Sequence, residues 1–365
     1  MPSNIAIDIL PILLLFLCIF GAKITKPLSS INSKDYLSLA TCKSYRGLFA
    51  IVVIFHHIAM RTESGVIFPL FIHMGSLAVA FFFFLSGYGL QKSYIIKSEY
   101  YKKEFLLKRI PTVLIPYIII TTIYWLWNLS LGQFYSLKDI IHRFIVGDPI
   151  AIYSWFIVNI LCFYIVFWLL MHICKKHYLM MILGGLIWYI LHTIFCIKMQ
   201  YDSHWYITCH LLVFGMFWAI YEHQIINLFK KKNITIFISL VSFFIIHYIL
   251  KRFIPTTNET THILKSILPL LFTLSFVICT LAIFMKIQIG NKILNFLGEI
   301  SLELYLSHAL FKFSLRSKYI YISNELIWCI SVLAGTILFS YGLHILFQAI
   351  LKAYKRIILK QKVIN

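Results

Sequence analysis

Apolar runs long enough to cross a bilayer recur from one end of the chain to the other, and nothing else restricts the fold so strongly. Inside lipid every backbone N–H and C=O must find its partner within the protein, so such runs fold as helices that pack together. Composition agrees, with 61% hydrophobic and only 13% charged residues in a chain of 365, well away from a soluble domain. The runs fall near 4–22, 46–60, 73–91, 111–131, 153–173, 178–197, 205–221, 233–250, 266–285, 294–312 and 326–351. They predict an all-α, polytopic transmembrane helix bundle of about 11 spans. The first run has no basic flank before it and no small-residue cleavage site after it, so it reads as a retained helix.

Basic residues give the expected orientation. Of the 33 Lys and Arg, 23 fall in 23–46, 92–109, 174–177, 230–232, 286–292 and 352–362, and 10 (Lys312 among them) in the alternate loops. By the positive-inside rule the N-terminus is outside, and Arg46 and the C-terminus are cytoplasmic. The formal charge of +20 then reflects this bias and attraction to anionic headgroups, and does not mark a nucleic-acid surface. The eight cysteines are scattered and lack a Cys-x-x-Cys pair, so they read as small apolar residues with neither a disulfide frame nor a metal site.

One run carries chemistry at both ends. Arg46-Gly-Leu-Phe-Ala-Ile-Val-Val-Ile-Phe-His-His ends at His56 and His57. On a helix the eleven steps from Arg46 to His57 turn about 1,100°, some 20° from alignment, and rise about 16 Å. Arg46 and His57 therefore share a face, with His56 turned about 80° away from it. If the span begins at Arg46, His57 lies near mid-bilayer, where an ionisable group is costly and points to function. An anchoring Arg with a packed His is the plain alternative from periodicity alone.

Further along, Ser86, Gly87 and Gly89 form a small-residue patch, which suits close helix packing or close approach of a ligand. Arg109 closes a basic cluster before Pro111, where cations beside a helix start suit phosphate groups. Asn159 reads as an interhelical hydrogen-bonding residue. In the tenth run Glu303 is the acidic residue set well inside a span. His308 is counted as far from the cytoplasmic end of its helix as His57 is from Arg46, so the two histidines can face each other.

In order along the chain, Arg46 with His57, Phe82-Phe-Phe-Leu-Ser-Gly-Tyr88, Arg109-Ile, Trp155-Phe-Ile, and Ser301-Leu-Glu-Leu-Tyr-Leu-Ser-His308 resemble the motifs of acyltransferase family 3. These are multi-pass membrane O-acyltransferases that act on surface polysaccharides and related acceptors. The resemblance implies a ten-helix core at 46–351, preceded by an extra helix and basic segment at 1–45 and followed by a basic tail at 352–365. It also implies an acyl-CoA donor, usually acetyl-CoA, used as co-substrate with no bound cofactor. The essential Arg–His pair becomes Arg46 and His57, and Arg109 matches the family's cytoplasmic arginine. His56 is an additional histidine.

The residues permit that chemistry. A neutral imidazole at His57 can take the proton of a sugar hydroxyl as it attacks a thioester, while Arg46 and Arg109 suit the phosphates of CoA. Glu303 suits orienting a histidine or binding acceptor hydroxyls, with Ser86, Gly87, His308 and His56 bordering one polar channel open to the cytoplasm. The expected partners are acyl-CoA, a glycan or lipid-linked saccharide, and the bilayer of the cell membrane. An acyl-histidine intermediate is a rival route. A polysaccharide flippase or polymerase is the alternative outside the acyltransferases.

Overall fold

The computed structural model describes residues 5–24, 36–253 and 259–364. Helices dominate: α1 (Ile9–Ile19), α2 (Leu39–Ala59), α3 (Gly75–Ser130), α4 (Leu137–Ile145), α5 (Trp155–Ile173), α6 (Tyr178–Lys198), α7 (His210–Phe253), α8 (Glu259–Phe284), α9 (Lys292–Glu299), α10 (Ser301–Ser314) and α11 (Glu325–Ile364). A two-stranded antiparallel ribbon pairs β1 (Lys23–Ile24) with β2 (Ile287–Gln288). Seven helical stretches among the described residues are long and apolar enough to cross a membrane. The all-α membrane bundle is thus the observed class, and the count of eleven is not reproduced.

The differences have identifiable causes. Helix α2 starts at Leu39, where the Ser38 hydroxyl caps the Thr41 N–H. Arg46 therefore sits two turns inside α2, and His57 stands two residues from its last residue, near one end and not at its middle. Two expected spans share α3, a single 56-residue element broken at Ser98 (φ 48°, ψ −124°). The chain reverses there. Tyr94 and Phe105, eleven residues apart, both contact Phe167 of α5, which a straight helix rising about 16 Å between them would not allow.

Helix α7 is uninterrupted where two spans flanking Lys230–Lys232 are expected. Lysine is a good helix former, and no Gly or Pro interrupts the stretch. Conversely, the tenth expected span is divided at Ile300 into α9 and the 14-residue α10.

Glycines set the closest helix contacts. A Cβ on Gly298 would lie 1.8 Å from the Lys43 carbonyl oxygen, and one on Gly47 would lie 2.1 Å from that of Leu294. The backbones of α2 and α9 thus touch. A Cβ on Gly87 would lie 1.9 Å from the Leu212 carbonyl oxygen, which locks the first arm of α3 onto α7.

Helix α1 is tied down at both ends. The buried Asp8 carboxylate accepts the backbone N–H groups of Val66, Ile67 and Phe68 at 2.8, 3.0 and 2.8 Å. At the other end Asn291 Nδ2 donates to the carbonyls of Leu17 and Phe20. Short helix α4 opens with a Ser136–Asp139 capping box and leaves Leu137, Ile141 and Phe144 exposed along one face.

Candidate active site

The C-terminal end of α2 meets three other elements. His57 lies with its ring 3.8 Å from that of Tyr153, centre to centre and nearly parallel, and 4.9 Å from that of His308 on α10. The apposition of His57 and His308, counted from their depths along two helices, is present. His308 Nδ1 donates to the Tyr305 carbonyl at 2.7 Å, which fixes its tautomer and leaves the lone pair on Nε2. That Nε2 is buried and has no hydrogen-bond partner, as is also true of His57 Nδ1. His56 turns its ring edge towards His57 at 4.6 Å, and its Nδ1 donates to the Phe71 carbonyl.

Tyr153 is held on all sides. Its φ of 65° places a bulky residue in the left-handed region, a costly conformation that persists only where the surroundings enforce it. Its carbonyl accepts the Tyr305 hydroxyl at 2.7 Å, and its own hydroxyl oxygen accepts a hydrogen bond from Lys312 Nζ at 2.9 Å. Lys312 is 2% exposed. The sequence reading places it in a loop, but it belongs to the last turn of α10, one helical turn beyond His308. The spacing of four from His308 is the signal that could have found it.

The rings of His56, His57 and Tyr153 border a cavity of about 730 Å³, which His308 and Glu303 do not line. His56, His57, Tyr153, Trp155 and Tyr305 supply imidazole and aromatic faces, and Ser76, Ser203 and Thr208 supply hydroxyls. His204 also lines it, 5.1 Å from the Trp155 ring. Asn159 on α5 donates to the Trp205 carbonyl at 2.7 Å, so it anchors the short turn that precedes α7, where a bond between two helices is expected.

The remaining candidates lie elsewhere. Arg46, Arg109, Ser86 and Gly87 do not border this cavity, so a single polar channel from Arg46 to His57 is not what the structure describes. Between them α2 buries Phe49, Ala50 and Ile54 in packed side chains. Gly87 is taken up by packing on α7, and Ser86 is half-buried beside it. Arg46 keeps its Nε buried without a partner, near Cys42 and Glu299. Arg109 lies on the second arm of α3, over the Tyr101 ring, beside a separate hollow of about 240 Å³ that Lys97, Lys108 and Thr112 also line.

The histidine that Glu303 bonds is His344. Glu303 Oε1 accepts from His344 Nδ1 on α11 at 2.9 Å, and Ser307 and Ser340 join the same two helices at 2.9 Å. The i,i+4 stripe of Ser340 and His344 is thus a seam between α10 and α11. At the Arg46 end, Glu222 accepts from Tyr36, Tyr88 and Lys92. Among the described residues no cluster of three or more His, Cys, Asp or Glu could hold a metal ion.

The bundle and its histidine-lined cavity define a multi-pass membrane protein with a built site at one end of the helices. The chain belongs to acyltransferase family 3: the family profile, described as an acyltransferase domain, matches residues 44–345. No curated protein and no solved structure matches the chain.

Proposed function

We propose that this protein is a membrane O-acyltransferase that moves an acetyl group from acetyl-CoA to a hydroxyl of a cell-surface glycan or lipid-linked sugar, with His57 as general base. The observation that carries the reading is His57 itself. It sits at the cavity edge with a nitrogen unpaired among the described residues, its ring stacked on that of Tyr153 and beside that of His308, inside a chain of acyltransferase family 3.

The cavity wall supports a sugar acceptor. A sugar ring offers apolar faces to aromatic side chains and several hydroxyls to short polar ones, and Tyr153, Trp155, Ser76 and Ser203 supply both kinds. Basic residues support a cytoplasmic donor side at Arg46, with the N-terminus outside and the C-terminus inside. Arg46 and Arg109 suit the diphosphate and the 3′-phosphate of CoA. About 16 Å of helix and the buried side chains of Phe49, Ala50 and Ile54 separate Arg46 from His57, so the reading requires a path for the thioester that opens between these helices. The acyl donor is a co-substrate, and the reading calls for no resident cofactor.

In the transfer, His57 takes the acceptor hydroxyl proton as its oxygen attacks the thioester carbonyl carbon. The tetrahedral adduct collapses with loss of the CoA thiolate, which takes the proton back from the imidazolium. The direct test is incubation of the purified protein in proteoliposomes with radiolabelled acetyl-CoA and a panel of polymeric and lipid-linked glycans. Label should appear in a base-labile ester on one acceptor, and His57→Ala should not produce it. Label on no acceptor, or equal label with His57→Ala, rejects the reading.

A further inference from the structure

We infer that Tyr153 is a catalytic residue, the hydrogen-bond donor to the carbonyl oxygen of the thioester, and that Lys312 is the positioning residue that makes it so. The inference rests on the acyl-transfer reading above.

Lys312 is a lysine buried at 2% exposure. A buried ammonium is costly and is normally paired with a carboxylate, yet among the described residues Lys312 has none. Its hydrogen-bond acceptor is the Tyr153 hydroxyl oxygen, with the rings of Tyr153 and Phe313 at 5.3 and 5.1 Å. A packing role alone gives no reason to keep a charge there.

An ammonium that donates to a phenol oxygen polarises the phenol O–H and strengthens it as a donor. The same bond occupies the oxygen's acceptor side and leaves the proton free to point elsewhere. No protein acceptor takes that proton among the described residues. Tyr153 borders the cavity, and its ring is pressed against His57.

The backbone points the same way. Tyr153 holds a left-handed φ of 65° while its carbonyl is pinned by Tyr305. Strain of this kind in a bulky residue, enforced by a second buried tyrosine, belongs with sites where one side chain must be aimed.

In the step itself, the acceptor oxygen forms its bond to the carbonyl carbon and the π pair moves onto the carbonyl oxygen. The Tyr153 O–H hydrogen-bonds to that oxygen without giving up its proton. As the C–S bond breaks, the pair returns and the thiolate leaves. A donor aimed at charge that develops only in the transition state acts on kcat and leaves KM little changed.

The experiment uses the full-length protein in proteoliposomes with acetyl-CoA, reading CoA thiol release to water, which passes through the same oxyanion. Wild type, His57→Ala, Tyr153→Phe, Lys312→Met and the Tyr153→Phe/Lys312→Met double variant are compared, with thermal unfolding of each. We expect Tyr153→Phe and Lys312→Met each to lower kcat about 10²-fold with KM for acetyl-CoA within about threefold. The double variant should be no slower than Tyr153→Phe, because Lys312 acts through that hydroxyl. If Tyr153→Phe keeps kcat within twofold while His57→Ala is inactive, the inference fails and the acyl-transfer reading stands. Additive losses in the double variant, or losses that track a fall in unfolding temperature, reduce Lys312 to a structural role and overturn the pairing. Equal release by wild type and His57→Ala removes both the reading and the inference.

Discussion

The imidazoles of His57 and His308 lie 4.9 Å apart, one from the end of α2 and the other from α10. Their free nitrogens, His57 Nδ1 and His308 Nε2, are both buried and unpaired. His57→Ala should lower transfer by at least about 10²-fold, and His308→Asn should lower it less. His56→Ala should keep most activity, because its Nδ1 is spent on the Phe71 carbonyl. Steady-state rates on equal amounts of folded protein check the order, and an inactive His56→Ala with an active His57→Ala would reverse the assignment of the base.

Glu303 and His344 should behave as a structural pair. Glu303 is buried and His344 is partly exposed, so losing the hydrogen bond between them costs about 1–3 kcal/mol. Glu303→Ala should therefore lower the unfolding temperature, and adding His344→Ala should lower it little further. A Glu303→Ala variant that unfolds like wild type yet loses all transfer would place the carboxylate in the chemistry instead.

Asp8 lies outside the stretch matched by the family, yet it holds the loop that leads into the cavity wall at Ile72 and His73. Asp8→Ala leaves three backbone N–H groups without their acceptor, at about 1–3 kcal/mol for each that stays buried. Amide exchange at Val66, Ile67 and Phe68 should accelerate by at least tenfold, and KM for the acceptor should rise more than KM for acetyl-CoA. Unchanged exchange would show that the loop holds its shape without α1.

Orientation is open to direct labelling. Single cysteines at Tyr100 and Tyr321, both exposed, should react with a membrane-impermeant maleimide from opposite sides, Tyr100 from the cytoplasm. Labelling of Tyr100 from outside would put Arg46 on the wrong side for CoA.

The helical class and the meeting of His57 with His308 are legible in the sequence because both follow from helix geometry: length in lipid, and rise per residue. Asn159 is legible as a buried hydrogen-bonding residue, but its partner, the Trp205 carbonyl in the turn before α7, is not. That the chain turns back between the runs at 73–91 and 111–131 is legible from the basic loop at 92–109, but the exact position of the turn at Ser98 is not, because no Gly or Pro marks it. Nor is Lys312, since a lysine after an apolar run reads as the start of a loop, and only the arrival of Tyr153 from another element gives it a buried partner. Gly87 looks the same in sequence whether a ligand or α7 approaches it. Glu303 shows the same limit: its depth is readable, but the choice between His57 and His344 belongs to the rotation of α10.

Helix α2 carries Arg46 and His57 on one uninterrupted 21-residue rod whose backbone rests against α9 at Gly47 and Gly298. A rod of this kind is stiff along its axis, so a displacement imposed at Arg46 arrives at His57 undiminished. The glycine contact acts as a fulcrum close to the Arg46 end, which makes the His57 end the long arm of a lever. A tilt of α2 about that contact therefore carries the imidazole further than it carries the guanidinium.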